Sequence, residues 1–510
     1  MSKSTLLKTA TLVTVFSIFE RALGFLYRII LSRTVGSEGL GLYQLALSIF
    51  AVFVTATSSG IPITVSRLIA KYKTKKNLHA ERQTVTAAVL VTLAFAVPVF
   101  LLLYLGHGYL DFLFSDPRCA QVFLLLLYGF IFTSVYAVIR GSFWGNKQFL
   151  AYSAIEFLEE MVMIVVGSIL VISATNALDG ARRAAFAVVI SYIFSFAVST
   201  VYFFIKGGKF ADPRGQVRPL LASATPITAM RTSTSLVNSL ISVILPARLI
   251  SAGMTAAEAM SEYGVTLGMA IPVLYMPATV IGSIALVLTP ELSECFYRGD
   301  HVRLQWNVEK ALKVTVLIAC SLIPPFFVFG SDMGILLFSS ARSGDIIRYA
   351  SFMLLPLSLN MISTSILNSL GCEKHTLLYF FFGAAAMLVC VWFLPQYMGV
   401  YALCLGQAIS HVSCCALELL LLKKRCVKPP SYLKFSLLCL CIAAAELGLG
   451  SLLYPTLLRL AGVVPALVLG GLGMASLQFF LLCLTGAYKE IVKFDAKRRK
   501  NGIKPLKNRI

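Results

Sequence analysis

Apolar stretches of about 20 residues, the length a helix needs to cross a hydrocarbon core, recur along the whole of this 510-residue chain. They fall at 9–32, 40–66, 83–106, 119–140, 150–174, 184–205, 219–247, 263–289, 311–330, 349–370, 377–395, 399–422, 435–457 and 462–486. Inside lipid every backbone N–H and C=O must be paired within the protein, so segments of this length are read as helices. With 58% hydrophobic and 13% charged residues, the whole chain has the composition of a membrane protein. The expectation is an all-α polytopic membrane protein of about 14 transmembrane helices. No gap between spans is long enough for a soluble domain, so function must lie in the bundle.

The net charge of +21 orients such a bundle. With the N-terminus inside and the sides alternating, about 32 of the lysines and arginines fall in cytoplasmic segments and about 8 in outer ones. The inner set includes Lys71, Lys73, Lys75, Lys76, the Lys423–Lys424–Arg425 cluster and a basic tail ending beyond Lys497–Arg498–Arg499–Lys500. Both termini are therefore expected in the cytoplasm. The tail is read as an anchor on anionic membrane lipids and not as a nucleic-acid site. The first stretch contains Glu20 and Arg21 and has no small-residue cleavage site, so it is expected to be retained as a helix. Cysteines 320, 390, 404, 414, 415, 439, 441 and 483 lie inside spans, where small buried hydrophobes are the expected role. No metal site, cofactor or disulfide framework is expected.

Several spans contain breaks. Ser58-Ser59-Gly60-Ile61-Pro62 interrupts the second, and Pro226, Pro272, Pro277, Pro324-Pro325 and Pro356 interrupt the seventh to tenth. Backbone groups freed at such points need neighbours or cavity water. Arg21 and Arg231 each lie about 12 residues into a span, at a depth of about 18 Å. That match suggests two pseudo-repeated six-helix lobes around a central cavity, 1–206 and 207–422, followed by two C-terminal helices, 423–486, and the tail, 487–510.

Arginines inside spans are costly, at about 2.5–3.5 kcal/mol each near the bilayer centre, and normally face a cavity or a partner. Arg21, Arg28, Arg67 and Arg231 are in or at the edge of apolar stretches, which suits an anionic cargo because guanidinium forks satisfy phosphate oxygens. Glu156, Glu159 and Glu160 have helical spacing that puts Glu156 on one face with the other two. Three carboxylates so close cannot all ionise cheaply, so at least one is expected to hold a proton or pair with an arginine. Together with Glu20 they are candidates for ion coupling or for structural pairing. Gln407, His411 and Glu418 share one face of the twelfth span. A membrane histidine of this kind is more often a helix–helix hydrogen-bonding residue than a ligand. Glu446 stands alone.

Residues 24–46, GFLYRIILSRTVGSEGLGLYQLA, and 60–72, GIPITVSRLIAKY, resemble the first two helices of the stage V sporulation protein B and polysaccharide biosynthesis family. That family is part of the multidrug, oligosaccharidyl-lipid and polysaccharide flippase superfamily. The resemblance implies a two-lobed fold of fourteen helices in a bacterial plasma membrane. It implies movement of an undecaprenyl-pyrophosphate-linked saccharide, as in lipid II for cell wall or spore cortex, from the inner to the outer leaflet. The last two helices would then shape a groove for the lipid tail, and cell-wall synthesis proteins would be partners. Arg21 matches the mid-helix arginine of lipid II flippases, whereas Tyr27, followed by Arg28, stands where they have a second. Their cavity arginine of the second helix is missing from VFVTATSSG, and their sodium-site acids have no counterpart in 219–247 or 377–395. Arg21, Arg28 and Arg231 are the headgroup candidates. The rival of the same fold is a cation-coupled multidrug exporter built on the acidic cluster. A membrane glycosyltransferase would usually need an acidic or metal-binding loop, which the sequence lacks.

Overall fold

The computed structural model describes residues 3–108, 113–425 and 432–486; the basic tail lies outside the described residues. Among these residues the secondary structure is helical, without strands. Twelve helical stretches are long and apolar enough to cross a membrane. Two further long helices, α1 (Lys3–Thr34) and α6 (Phe149–Ile172), are not among those twelve, and α6 carries Glu156, Glu159 and Glu160.

The chain forms two compact units, Met1–Gly268 and Met269–Ile510. In the first, α2 (Gly36–Ser58) packs on α5 (Arg118–Gly145), α7 (Ala177–Ile205), α8 (Val217–Ser251) and α9 (Ala256–Tyr263). α3 (Ile61–Thr74) and α4 (Leu78–Leu105) join α5, and α1 lies along α6. Ile61, Val65, Ile69, Val138, Phe143 and Leu220 centre its core.

The break expected at Ser58–Pro62 is present, with α2 ending at Ser58 and Pro62 in the first turn of α3. The Gly60 N–H freed there donates to Thr228 Oγ1 of α8 at 3.1 Å. This is the interhelical rescue that a broken membrane helix requires. A side chain at Gly60 would put its Cβ 2.5 Å from the Ala224 carbonyl oxygen, so the break and the helix contact depend on the same glycine.

The second unit is built from α10 (Ile271–Tyr297), α11 (His301–Phe338), α12 (Ala341–Ala350), α13 (Leu354–Ser369), α14 (Glu373–Phe393), α15 (Pro395–Met398), α16 (Tyr401–Arg425), α17 (Leu433–Ala461) and α18 (Val463–Leu484). Pro272 sits in the first turn of α10, directly after the π-helical turn Gly264–Ala270. Two sequence boundaries are corrected here. The ninth stretch, read as 311–330, continues to Phe338, and the tenth, read from 349, begins with α12 at Ala341. Gly330 and Gly344 explain both, because a Cβ on Gly344 would meet Ser331 Cα at 2.5 Å and one on Gly330 would meet Arg348 N at 2.8 Å. Small residues thus let α11 and α12 touch along their backbones, as membrane helices do where lipid gives no hydrophobic drive. The cysteine expectation also needs amending: Cys441 is exposed and Cys483 half-buried, whereas the other cysteines named above are buried.

Candidate functional site

The charged cluster of the first unit is assembled on the α1–α6 seam. Phe16 of α1 meets Phe157 of α6 edge-on, with ring centroids 5.7 Å apart. A turn or two further on, a Cβ at Gly24 would lie 2.9 Å from Glu160 Oε1, and Gly167 is closed against the Tyr27 phenol. The contacts 16/157, 24/160 and 27/167 rise together, so the two helices run parallel. Glycines on both sides let a carboxylate and a phenol enter the seam. Tyr27 is 2% exposed, and its hydroxyl has no hydrogen-bond partner among the described residues. Arg28, next along α1, is half-buried, lies within electrostatic reach of Glu160, and directs Nη1 to the Leu267 carbonyl at 3.5 Å.

The three glutamates turn to three different helices, which refines the shared face expected from their spacing. Glu156 pairs with Arg140 of α5 at 3.3 Å and lies near Tyr152. Glu159 lies beside Ser195 of α7. Glu160 faces α1. Glu20 lies within electrostatic reach of Glu156, Glu160 and Arg21. Helical offsets of three and four differ by about 100° in azimuth, and at that angle each carboxylate meets its own neighbour.

Arg140 is the residue that sequence reasoning missed. It stands at the end of the apolar run 119–140, where it reads as a loop cation, yet α5 continues to Gly145. Its guanidinium stacks over Trp144, 5.4 Å from the ring centroid. The available signal was Arg140 and Trp144 one helical turn apart, with Glu156 opposite across a short hairpin.

Of the other arginines, Arg21 and Arg231 are exposed, on α1 and α8. Arg67, also exposed, hydrogen-bonds Ser223 of α8. Arg140 is thus paired with a carboxylate and Arg28 lies near one, while Arg21 and Arg231 are exposed, Arg21 within electrostatic reach of Glu20.

In the second unit His411 and Glu418 belong to one buried network. Glu418, 1% exposed, accepts from Thr364 Oγ1 at 2.6 Å, from Asn360 Nδ2 at 3.1 Å and from the Ser363 hydroxyl. Asn360 Oδ1 lies 3.3 Å from His411 Nδ1, and His411 Nε2 lies 3.2 Å from the Tyr275 hydroxyl. The network ties α16 to α13 and α10. Gln407 stays outside it, with Oε1 buried and unpartnered among the described residues. Glu446 of α17 is 2% exposed, with both carboxylate oxygens likewise unpartnered. Glu418→Ala is expected to strand the Thr364 and Asn360 donors, Ser363 keeping the Leu359 carbonyl, and to lower stability on the order of 2–4 kcal/mol. Glu418→Gln, which keeps an acceptor oxygen, should cost less. Thermal melts of the purified variants check this order.

Comparison with known proteins agrees with this architecture. The family described as polysaccharide biosynthesis protein matches residues 6–296. Stage V sporulation protein B of Bacillus subtilis (strain 168) is 25% identical over 406 residues, covering 72% of this chain and 76% of that protein. Lipid II flippase MurJ of the same organism is 20% identical over 466 residues, covering 82% and 83%. Among solved structures, lipid II flippase MurJ in an inward closed conformation superposes with a TM-score of 0.73 at 13% identity, over 95% of this chain and 100% of that one. An inward-facing multidrug resistance MATE family transporter of the MOP superfamily gives 0.63 at 16% identity, over 79% and 94%. The structural matches show a shared fold.

Proposed function

This chain belongs to the polysaccharide biosynthesis protein family, and we propose that it flips an undecaprenyl-pyrophosphate-linked saccharide, a lipid II-like precursor of cell wall or spore cortex, from the inner to the outer leaflet. At the coarser level it is a multi-pass membrane transporter of the flippase superfamily that contains the lipid II flippase and the MATE exporters. The finer reading rests on the exposed guanidinium of Arg21 on α1, with Arg231 on α8 as its companion. Arg28, within electrostatic reach of Glu160 and with Nη1 on the Leu267 carbonyl, completes the headgroup set. A pyrophosphate presents several anionic oxygens, which arginine forks engage two at a time. The interior-negative potential drives an anion outward by about 2.3 kcal/mol per charge per 100 mV, so a coupling ion is not required by the energetics.

Two further features support a lipid cargo. A mostly apolar cavity of about 180 Å³ lies between α11, α17 and α18, lined by Leu453, Leu457, Leu469 and Met474 with Glu446 and Tyr454 among them, and suits part of a prenyl tail. The basic cytoplasmic segments and termini would hold the bundle in the orientation that expels an anion. The lobes 1–206 and 207–422, the fourteen spans and the engagement of cell-wall synthesis proteins belong to the same proposal.

The multidrug-exporter alternative draws on the acidic cluster. Glu156 is occupied by Arg140, which leaves Glu20, Glu159 and Glu160 as the acids a cation could use. Expression in a bacterium depleted of its own lipid II flippase tests the first reading. Growth should be restored and lipid-linked precursor should not accumulate on the inner leaflet. Precursor build-up unchanged despite full membrane levels would count against it.

A further inference from the structure

Away from the seam, the ends of α3, α4, α5 and α7 enclose a cavity of about 310 Å³. Its rim carries Lys73, Arg82, Lys206 and Lys209 against a single acid, Glu81, and its floor includes Phe143 and Phe203. The four cations come from three separate elements, and several are fixed in place. Lys73 Nζ donates to Asn146 Oδ1 at 2.9 Å, and Lys206 Nζ lies 5.5 Å over the Tyr202 ring. The turn that carries Lys206 and Lys209 is closed by Gly208 N donating to the Phe203 carbonyl at 2.9 Å, with Gly207 in the left-handed region at φ +81. The Ala211 N–H donates to Thr86 Oγ1 of α4 at 3.0 Å, which pins the far side of the same turn.

Positively charged residues at the ends of membrane helices normally serve orientation alone and are splayed in water. Here four of them line one concave site together with Phe143 and Phe203. Convergence of like charges is unfavourable in itself and is relieved by an anion. Glu81 offsets one charge of the four, so the rim keeps a surplus of three. The volume is many times the roughly 10–15 Å³ one water needs on the same measure, which leaves room for more than one phosphate. The pairing of surplus charge and volume fits two linked phosphate groups, and the phenylalanine floor fits the first carbons of a chain attached to them.

We infer that this cavity is a binding site for a diphosphate group, carried by a lipid headgroup or free in solution. The site is separate from the arginines assigned to transport, and its test reads binding, not flipping. Full-length protein in an uncharged detergent is titrated calorimetrically with inorganic pyrophosphate and with a short-chain prenyl pyrophosphate at fixed ionic strength. The Lys206→Gln/Lys209→Gln variant removes two exposed cations and, with Lys206, its contact on the Tyr202 ring. The Arg214→Gln/Arg218→Gln variant removes two exposed cations from the adjoining segment and serves as the control.

Both lysines are exposed and screened, so their joint loss should weaken pyrophosphate binding by about tenfold to hundredfold, while the control changes it by less than about twofold. Tighter binding of the prenyl form, with the same loss in the lysine variant, identifies a lipid headgroup; equal affinities identify free diphosphate. Equal weakening by both variants would show a diffuse positive face and overturn the proposal. So would an unsubstituted protein that binds pyrophosphate no better than chloride at the same ionic strength.

Discussion

Alanine at both Arg21 and Arg231 is expected to abolish transport while leaving the protein in the membrane. Both side chains are exposed, so their removal takes away no packed core. Each fork that grips a phosphate contributes about 1.5–3 kcal/mol through charge-assisted bonds, or about ten- to hundredfold per residue. The two residues are on separate helices, and their losses should combine. Lysine keeps the charge without the planar fork, so Arg21→Lys and Arg231→Lys should recover part of the activity and not all of it. The check is growth or sporulation of a complemented strain, together with precursor flipping, at matched membrane levels. Normal function of the double alanine variant would remove the anion-binding role of both residues.

Arg140→Ala is expected to produce the largest loss of stability in the first unit. The substitution strands Glu156 and removes the cation stacked on Trp144. Breaking a fully buried pair costs about 3–5 kcal/mol. Arg140 and Glu156 are 30% and 25% exposed, and solvent screening brings the expected loss to roughly 2 kcal/mol. Removing both partners in Arg140→Leu/Glu156→Leu should recover much of that loss, because no uncompensated charge is left. Thermal melts of the four proteins in the cycle measure the coupling. Glu160→Gln makes a useful contrast: it frees Arg28 from its electrostatic neighbour on α6 and should alter transport more than stability. A flattened pH dependence in Glu159→Gln or Glu160→Gln would assign proton coupling to those acids.

What could be read from the sequence followed the range of each physical signal. Apolar length and local breakers act within one segment, so the helices and the interruption at Ser58–Pro62 were legible, whereas Pro226 and Pro324-Pro325, read as interruptions, lie inside the continuous helices α8 and α11. The extent of α11 and the existence of α12 were not, because polar residues such as Ser331, Asp332, Arg342 and Asp345 suggest a loop. Only the close approach of Gly330 and Gly344 shows why they are helical. The cluster showed the same limit. Spacing identified Glu156, Glu159 and Glu160 as neighbours on one helix, but which outside helix each would meet depends on tertiary packing. Arg140 was hidden for that reason. His411 and Glu418 were legible as one face of α16, whereas Asn360 and Tyr275, which complete their network, lie on other helices.

The central claim is that the cargo is an anionic lipid-linked saccharide and not an organic cation. Purified protein reconstituted into liposomes, with fluorescent lipid II in one set and a cationic dye in another, tests it most directly. The account predicts that lipid II crosses the bilayer, faster with an interior-negative potential, and that Arg21→Ala/Arg231→Ala liposomes lose this activity. Movement of the dye with no movement of lipid II would contradict it.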